Sequence, residues 1–131
     1  MAQVIGEFDA FIATVAEYNH GPTAVLKNAF DSALLEWQRK PIAFVGYGGV
    51  GGARAIETLR GAVNELHMAP IRHEVNVAME PYLGVVQSGR SLNDYAYLVQ
   101  AGKPCSATWW GEALKSGRQR TAAQNSSRLD R

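Results

Sequence analysis

Two short segments contain residue types that could bind a ligand, and each follows an apolar run that predicts a buried strand. Residues 16–22 read Ala-Glu-Tyr-Asn-His-Gly-Pro after the run 10–15, and residues 46–52 read Gly-Tyr-Gly-Gly-Val-Gly-Gly after the run 42–45. These are the first loop and the glycine loop below. Because the carboxyl ends of parallel strands share one sheet edge, where ligands bind, the two loops predict a single site. One polar loop and one nearly all-glycine loop favour a flat or anionic ligand that accepts hydrogen bonds from backbone amides.

The glycine loop allows three interpretations. Gly46, Gly48 and Gly51 form the G-x-G-x-x-G pattern of a dinucleotide site between a strand and a helix. That pattern belongs to a first strand–helix turn, and its ribose-binding acid would have to be Glu74, which lies in the middle of the next predicted strand. A glycine turn can also approach a flat ring and donate N–H groups to it. The third interpretation is a tight turn that requires positive φ and binds nothing.

The first loop could line the opposite side of the same ligand. Tyr18 offers an aromatic surface, and Asn19 can donate and accept hydrogen bonds, with Glu17 and His20 beside them. The alternative is a helix-entry loop whose polar groups satisfy only the backbone. No Ser or Cys nucleophile accompanies His20, so triad chemistry is unsupported, and no cluster of potential ligands has metal-binding spacing.

The elements that position these loops follow from hydrophobic periodicity. Apolar residues at helical spacing predict a helix over residues 23–36, with Thr23 as its N-cap and Trp37 on its apolar stripe, and a second helix over residues 53–66. The order strand, helix, strand, helix, strand implies a parallel sheet with right-handed crossovers. The run 10–15 is expected to be buried on both faces.

The second half of the chain is less regular. Residues 71–77 predict a third strand nearer the sheet edge, and residues 79–93 predict a loop. Pro104 can begin a last helix in which Ala107, Trp110 and Leu114 face inward. Trp109 and Trp110 are expected in core or dimer packing, and Cys105 is expected to be inert.

Composition limits the remaining possibilities. The 131 residues predict one domain over residues 1–115, and the Ser-, Gln- and Arg-rich segment 116–131 predicts a disordered tail. That tail contains four arginines, so the rest of the chain is mildly acidic despite a net charge of +1, which argues against nucleic-acid binding. No apolar run is long enough for a membrane span, the start lacks a signal peptide, and a single cysteine allows no internal disulfide, so we expect a cytoplasmic protein.

Several separate motifs resemble, in order, those of the NADPH-dependent FMN reductases. They are Glu-Tyr-Asn-His-Gly-Pro at 17–22, Leu-Lys-Asn-Ala at 26–29, Lys-Pro-Ile-Ala-Phe-Val at 40–45, Tyr-Gly-Gly-Val-Gly-Gly-Ala-Arg-Ala at 47–55 and Trp-Trp-Gly-Glu-Ala-Leu-Lys at 109–115. The resemblance covers about residues 4–118. It implies an α/β fold, a flavodoxin-like three-layer sandwich with a parallel sheet of about three strands and flanking helices.

The resemblance also implies an activity and a site. A flavoprotein of this kind takes a hydride from NADPH or NADH onto FMN and passes electrons to a small-molecule acceptor. It is expected to form a homodimer or higher homo-oligomer. The implied cofactor-binding residues are Glu17, Tyr18, Asn19, His20, Tyr47, Gly48, Gly49 and Gly51.

This sequence departs from the family pattern in two ways. Ala16 stands where the family usually has Pro, and the strand and Gly/Ser/Arg-rich loop that hold the FMN phosphate have no counterpart, so the fold is expected to be N-terminally truncated. FMN should then bind weakly, and the strand at 10–15 should have an unpaired edge. The alternatives are a catalytically impaired remnant that assembles with itself or a partner and, third, a dinucleotide-binding module.

Overall fold

A computed structural model describes residues 2–103 and 107–129, built around a four-stranded sheet of order β2-β1-β3-β4. Strands β1, β3 and β4 are parallel, as predicted, and the two-residue β2 pairs antiparallel with the end of β1. In chain order the elements are α1 Ala2–Gly6, β1 Phe11–Tyr18, β2 Gly21–Pro22, α2 Ala24–Asp31, β3 Pro41–Tyr47, α3 Ala53–Glu65, β4 Ala69–Val77, α4 Met79–Ser88, a 3₁₀ turn Leu92–Asp94, α5 Ala96–Gly102 and α6 Ala107–Leu129.

One face of the sheet, here the first face, has a closely packed core. Ile42 and Phe44 of β3 and Val15 of β1 are almost fully buried. Against them pack Ile56 and Leu59 of α3, which the helical spacing had placed on one apolar stripe. This agreement between period and burial confirms the predicted helix after the glycine loop.

Helix α2 is shorter than predicted. Thr23 does cap it, because its Oγ1 accepts a hydrogen bond from the Leu26 amide at 3.3 Å. The helix nevertheless ends at Asp31, where the Ser32 hydroxyl donates to the Ala29 carbonyl oxygen at 2.7 Å. The chain then folds back, and Trp37 Nε1 donates to the Phe30 carbonyl oxygen at 3.1 Å. Trp37 therefore reaches the core from a turn and not from the helix. Its hydrogen bond uses the Phe30 carbonyl oxygen, which in a continuing helix would accept from the amide four residues later.

The opposite face, here the second face, is only partly covered. Val75 and Val77 of β4 and Val45 of β3 pack against Tyr95 and Leu98 around α5. On β1, however, Ile12 is 66% exposed and Thr14 is also exposed. The expectation that this strand is buried on both faces was therefore wrong, because no described helix lies over its outer half.

Residues 79–93 are not a loop but contain α4 and the 3₁₀ turn. Pro81 lies in the first turn of α4, where a missing N–H costs nothing. Gly89 ends the helix at φ 63°, and its amide donates to the Val85 carbonyl oxygen at 3.2 Å. These are ordinary start and stop signals, so the helix was in principle readable from the sequence.

Helix α6 packs through a stripe that includes two of the three residues predicted to face inward, because Ala107 and Leu114 are both partly buried. Gly111 is buried over Ala10, with Leu114 and Arg118 partly buried on the same stripe. Trp109 and Trp110 form an edge-to-face pair, with centroids 5.1 Å apart, that is largely exposed. The prediction that Trp110 faces inward was therefore wrong, because the close approach of α6 to Ala10 places Gly111 on the buried stripe instead, whereas dimer packing by the two tryptophans stays a prediction.

The segment 116–131, predicted to be disordered, is helical as far as Leu129 in the structure. Alanine, arginine and glutamine are good helix formers, so polarity alone was a poor guide to order there. The division of the chain at residue 115 stays a prediction. Pro104 and Cys105 lie outside the described residues.

In the described ranges no helix combines the length and the apolar character that a bilayer crossing requires.

Candidate functional site

The first loop is a tight β-hairpin. Asn19 and His20 have φ of 50° and 66°, and Tyr18 pairs with Gly21 across the turn. Two central residues with positive φ define a type I′ turn, which matches the natural twist of an antiparallel pair. Asn and His tolerate this left-handed conformation better than most residues. The predicted helix-entry loop is thus a rigid hairpin, and its tip residues serve the turn.

Several glycines of the second loop are needed for packing. A Cβ on Gly46 would lie 2.3 Å from the Gly51 carbonyl oxygen, and one on Gly51 would lie 2.6 Å from Cβ of Asn76. Gly51 and Gly52 also have φ of 68° and 72°. The turn therefore requires glycine at positions 51 and 52 for positive φ, while close packing accounts for glycine at position 46 and, against Asn76 of β4, at position 51.

A cleft of about 200 Å³ lies between the two loops. Its walls are Ala16, Glu17 and Tyr18 on one side, Tyr47, Gly48 and Gly49 on the other, and Met79 and Tyr82 at the end. Five of the eight predicted site residues thus border one cleft, whereas Asn19, His20 and Gly51 do not line it. No described side chain fills the gap.

Tyr82 completes the cleft and was missed by the sequence analysis. Its ring stacks parallel to that of Tyr47, with centroids 6.3 Å apart and an interplanar angle of 9°. Met79 comes from the same helix, α4. Recognition of Pro81 and Gly89 as helix boundaries would have placed a helix directly after β4, at the same sheet edge as the loops.

The middle of the glycine loop has two backbone amides that donate no hydrogen bond to a described residue. Gly48 donates to the Val77 carbonyl oxygen at 3.3 Å and Gly51 to that of Gly48 at 3.0 Å. Between them, the amides of Gly49 and Val50 donate no hydrogen bond within the described residues. A Cβ on Gly49 would meet nothing within 4 Å. This part of the loop can therefore approach a flat ligand and donate to its polar edge.

Glu17 borders the cleft, but its carboxylate is directed at α3. The side chain is 4% exposed, and it accepts hydrogen bonds from the Arg54 backbone amide at 3.1 Å and from Arg54 Nε at 2.5 Å. Burial alone would raise the pKa of this carboxyl. The hydrogen bonds from Arg54 and the Ala55 amide, with the charge of Arg54, outweigh burial and hold the pKa below its ordinary value. Glu17 is therefore an ionised group that joins the first loop to α3, and its predicted contact with a ligand stays a prediction.

The acid that a dinucleotide site would need is engaged elsewhere. Glu74 forms an ion pair with Arg60 of α3 at 2.8 Å and accepts a hydrogen bond from Asn76 at 3.1 Å. Asn76 also donates to the Gly51 carbonyl oxygen at 3.0 Å, so this network connects the glycine loop to β4 and α3. In the described part of the chain no group of three or more His, Cys, Asp or Glu residues could hold a metal ion.

Comparison with known proteins identifies similar sequences. The family described as NADPH-dependent FMN reductase matches residues 1–81. The chain is 34% identical over 67 residues to the NAD(P)H-dependent FMN reductase LOT6 of Saccharomyces cerevisiae, a match that covers 51% of this chain and 35% of that protein. It is 40% identical over 60 residues to an NAD(P)H-dependent FMN reductase of Schizosaccharomyces pombe, covering 46% of this chain and 30% of that one.

A solved structure supports the fold. FerB, a flavoenzyme NAD(P)H:(acceptor) oxidoreductase from Paracoccus denitrificans, superposes with a TM-score of 0.65 at 22% identity, covering 86% of this chain and 66% of that chain. At this identity the likeness is one of fold, and it confirms the expected flavodoxin-like architecture. The chain spans about a third of the length of the curated relatives it matches.

Proposed function

The chain belongs to the NADPH-dependent FMN reductase family, and on that premise we propose that it binds the ring of FMN between its two loops. In this proposal NADPH or NADH donates a hydride, and the electrons pass to a small-molecule acceptor. The observation that carries the proposal is the open cleft between Tyr18 and Gly49, which has aromatic side chains at its borders and, on one wall, a Gly49 amide that donates to no described residue.

The residues at the cleft fit a flat ring with polar edges. The amides of Gly49 and Val50 are free to donate, and the missing side chain at Gly49 leaves room for a ring to lie against the backbone. Tyr18, Tyr47 and Tyr82 supply aromatic surface at the borders. Such a site combines apolar walls with a few placed donors, which is the usual composition of a cofactor pocket.

When bound, the flavin supplies the hydride chemistry. The protein's part is to bind, orient and shield. Donors at Gly49 and Val50 would hold one polar edge of the ring and favour electron density there. The stacked pair Tyr47 and Tyr82 would exclude water from the end of the cleft.

Three further features belong to the same proposal. We propose that residues 1–115 form the catalytic domain, that the protein is cytoplasmic, and that it assembles as a homodimer or higher homo-oligomer. Support for assembly comes from β1, whose Ile12 is exposed and whose outer edge pairs with no described strand at residues 11–16.

The test is an FMN fluorescence titration of the purified protein. We expect quenching by the wild type and a dissociation constant raised at least about tenfold by Gly49→Leu, since the new side chain would occupy the cleft. Gly61→Leu is the matched control, because a Cβ at Gly61 of α3 also meets open space but lies outside the cleft. Equal affinity in the two variants would place the flavin elsewhere.

The second candidate is an assembly or partner-binding subunit without redox activity. The exposed face and open edge of β1 favour it, because apolar strand surface of this kind pairs readily with another chain. A protein that never quenches FMN but sediments as a stable oligomer would support this function over the first.

A further inference from the structure

We propose that Arg54 is the positioning residue that holds the two loops of the cleft at a set separation. The inference rests on the proposed FMN site and concerns a residue that lies outside the cleft lining. Arg54 contacts the first loop at two points, the end of its first strand and the tip of its turn, from the beginning of the helix that follows the glycine loop.

The first contact is with Glu17 at the strand end. Helix α3 begins after Gly52, which has no side chain to cap it. The Glu17 carboxylate takes that place, accepting from the Arg54 amide at 3.1 Å while Arg54 Nε donates to its other oxygen at 2.5 Å. An ionised carboxylate at a helix N-terminus is favourable because it satisfies free amides and opposes the helix dipole. The cap comes from 37 residues earlier in the chain.

The second contact is with His20 at the turn tip. Arg54 Nη1 lies 3.0 Å from His20 Nε2. A guanidinium can only donate, so Nε2 must accept and the ring proton must sit on Nδ1. One guanidinium thus bridges a carboxylate and an imidazole at opposite ends of the same hairpin.

The parallel pairing of β1 with β3 ends at Ala16 and Tyr47, so the separation of the loops beyond that point depends on other contacts. Gly48 faces Glu17, where an added Cβ would lie 3.4 Å from that of Glu17, so the loops meet through backbone and small atoms. Glycines provide no interlocking side chains. The Arg54 fork, with a fixed planar geometry, is therefore suited to hold the hairpin in position while Gly48 and Gly49 stay open to a ligand.

The experiment compares Arg54→Met, which keeps an unbranched apolar stem without the charge, with Arg54→Lys, which keeps the charge without the planar fork. Arg72→Met serves as the control, since Arg72 is an exposed β4 residue away from the cleft. Hydrogen exchange of the backbone amides in residues 17–22, of which Pro22 has none, and the FMN dissociation constant are measured for each protein, together with the thermal midpoint.

We expect Arg54→Met to speed exchange in residues 17–22 and to raise the FMN dissociation constant about tenfold, with exchange in α3 beyond its first turn unchanged. Arg54→Lys should lie between Arg54→Met and the wild type. Glu17→Gln should reproduce the effect, and the double variant should be no worse than Arg54→Met, since the two residues act as one unit.

The two proposals fail separately. If the wild type does not quench FMN, the proposed function falls, while exchange in residues 17–22 still tests the role of Arg54. If the wild type binds FMN and Arg54→Met binds it equally well, with unchanged exchange in the hairpin, the positioning role is overturned. Loss of protection throughout the sheet in both Arg54→Met and Glu17→Gln would also overturn it, because the pair would then be a general stabilising contact.

Discussion

The two faces of the sheet are stabilised by different means. On the first face Phe44 and Ile56 lie in a continuous apolar core with no exposed surface. On the second face the neighbouring residue, Val45, borders an apolar hollow of about 320 Å³ together with Val77 and Tyr82. One strand, β3, thus contributes to a closed core with one side chain and to an open surface with the next.

The difference shows how much a strand's burial depends on its neighbours. Alternate side chains of β3 point to opposite faces, so equally apolar residues reach unequal environments. The second face is also held by charge. Asp9, before β1, pairs with Lys115 at 2.7 Å and with Arg118 at 2.5 Å, and Arg118 donates to the Arg39 carbonyl oxygen at 2.6 Å. Partly exposed ion pairs are thus among the contacts that attach α6, whereas α3 buries Ile56 and Leu59 completely in the apolar core.

The largest expected effect is the loss of a first-face side chain. Phe44→Ala should lower the free energy of unfolding by about 3–5 kcal/mol, because it leaves a cavity in a closed core. Ile12→Ala on the exposed second face should cost less than about 1 kcal/mol. Urea denaturation followed by tryptophan fluorescence measures both. Similar losses in the two variants would mean that the faces are equally packed in solution.

An intermediate effect is expected from acid on α6. The hydrogen bond from Lys115 is the main cause of an Asp9 pKa below its ordinary value of 3.8, opposed by burial and assisted by Arg118. A depressed carboxyl pKa stabilises the fold fully above the ordinary value, and that stability is lost as the pH falls through the folded value. Hydrogen-exchange protection in residues 111–118, measured against the intrinsic rate at each pH, should therefore fall below about pH 4, while protection in α3 beyond its first turn is retained.

Asp9→Asn is the control for that experiment. It should raise exchange in α6 already at neutral pH and remove most of the acid dependence there, since no carboxylate is left to protonate. An acid response that is the same in Asp9→Asn and in the wild type would show that other groups attach α6.

The smallest effect is expected at Tyr95, on the second face. Its hydroxyl is buried and has no hydrogen-bond partner in the described residues, and it occupies the space beside Gly84, where a Cβ would lie 2.0 Å from it. Tyr95→Phe removes the unsatisfied group, so stability should stay within about 1 kcal/mol of the wild type or rise slightly. A loss above about 2 kcal/mol would reveal a partner for the hydroxyl. Thermal denaturation is sufficient to measure it.

Much of the fold could be predicted because its signals are local. A parallel α/β sheet was indicated by three local signals. They are the helical spacing of apolar residues in α3, the apolar runs of β1 and β3, and the alternation of strands and helices. Five of the predicted site residues border one cleft because the carboxyl ends of adjacent parallel strands share an edge. Helix α4 was missed although its proline and glycine boundaries were present, and with it Tyr82.

The sequence by itself determined that two loops would meet at one edge, since strand order and loop position follow from local pattern. Only the tertiary structure decided what each loop residue does there. Glu17 accepts hydrogen bonds from Arg54, Gly51 accepts one from Asn76, and Tyr47 stacks on Tyr82. These partners lie 37, 25 and 35 positions away along the chain. Such pairings depend on how the helices and strands pack in space. Residue type and local spacing do not predict which residues so far apart in the chain will come into contact.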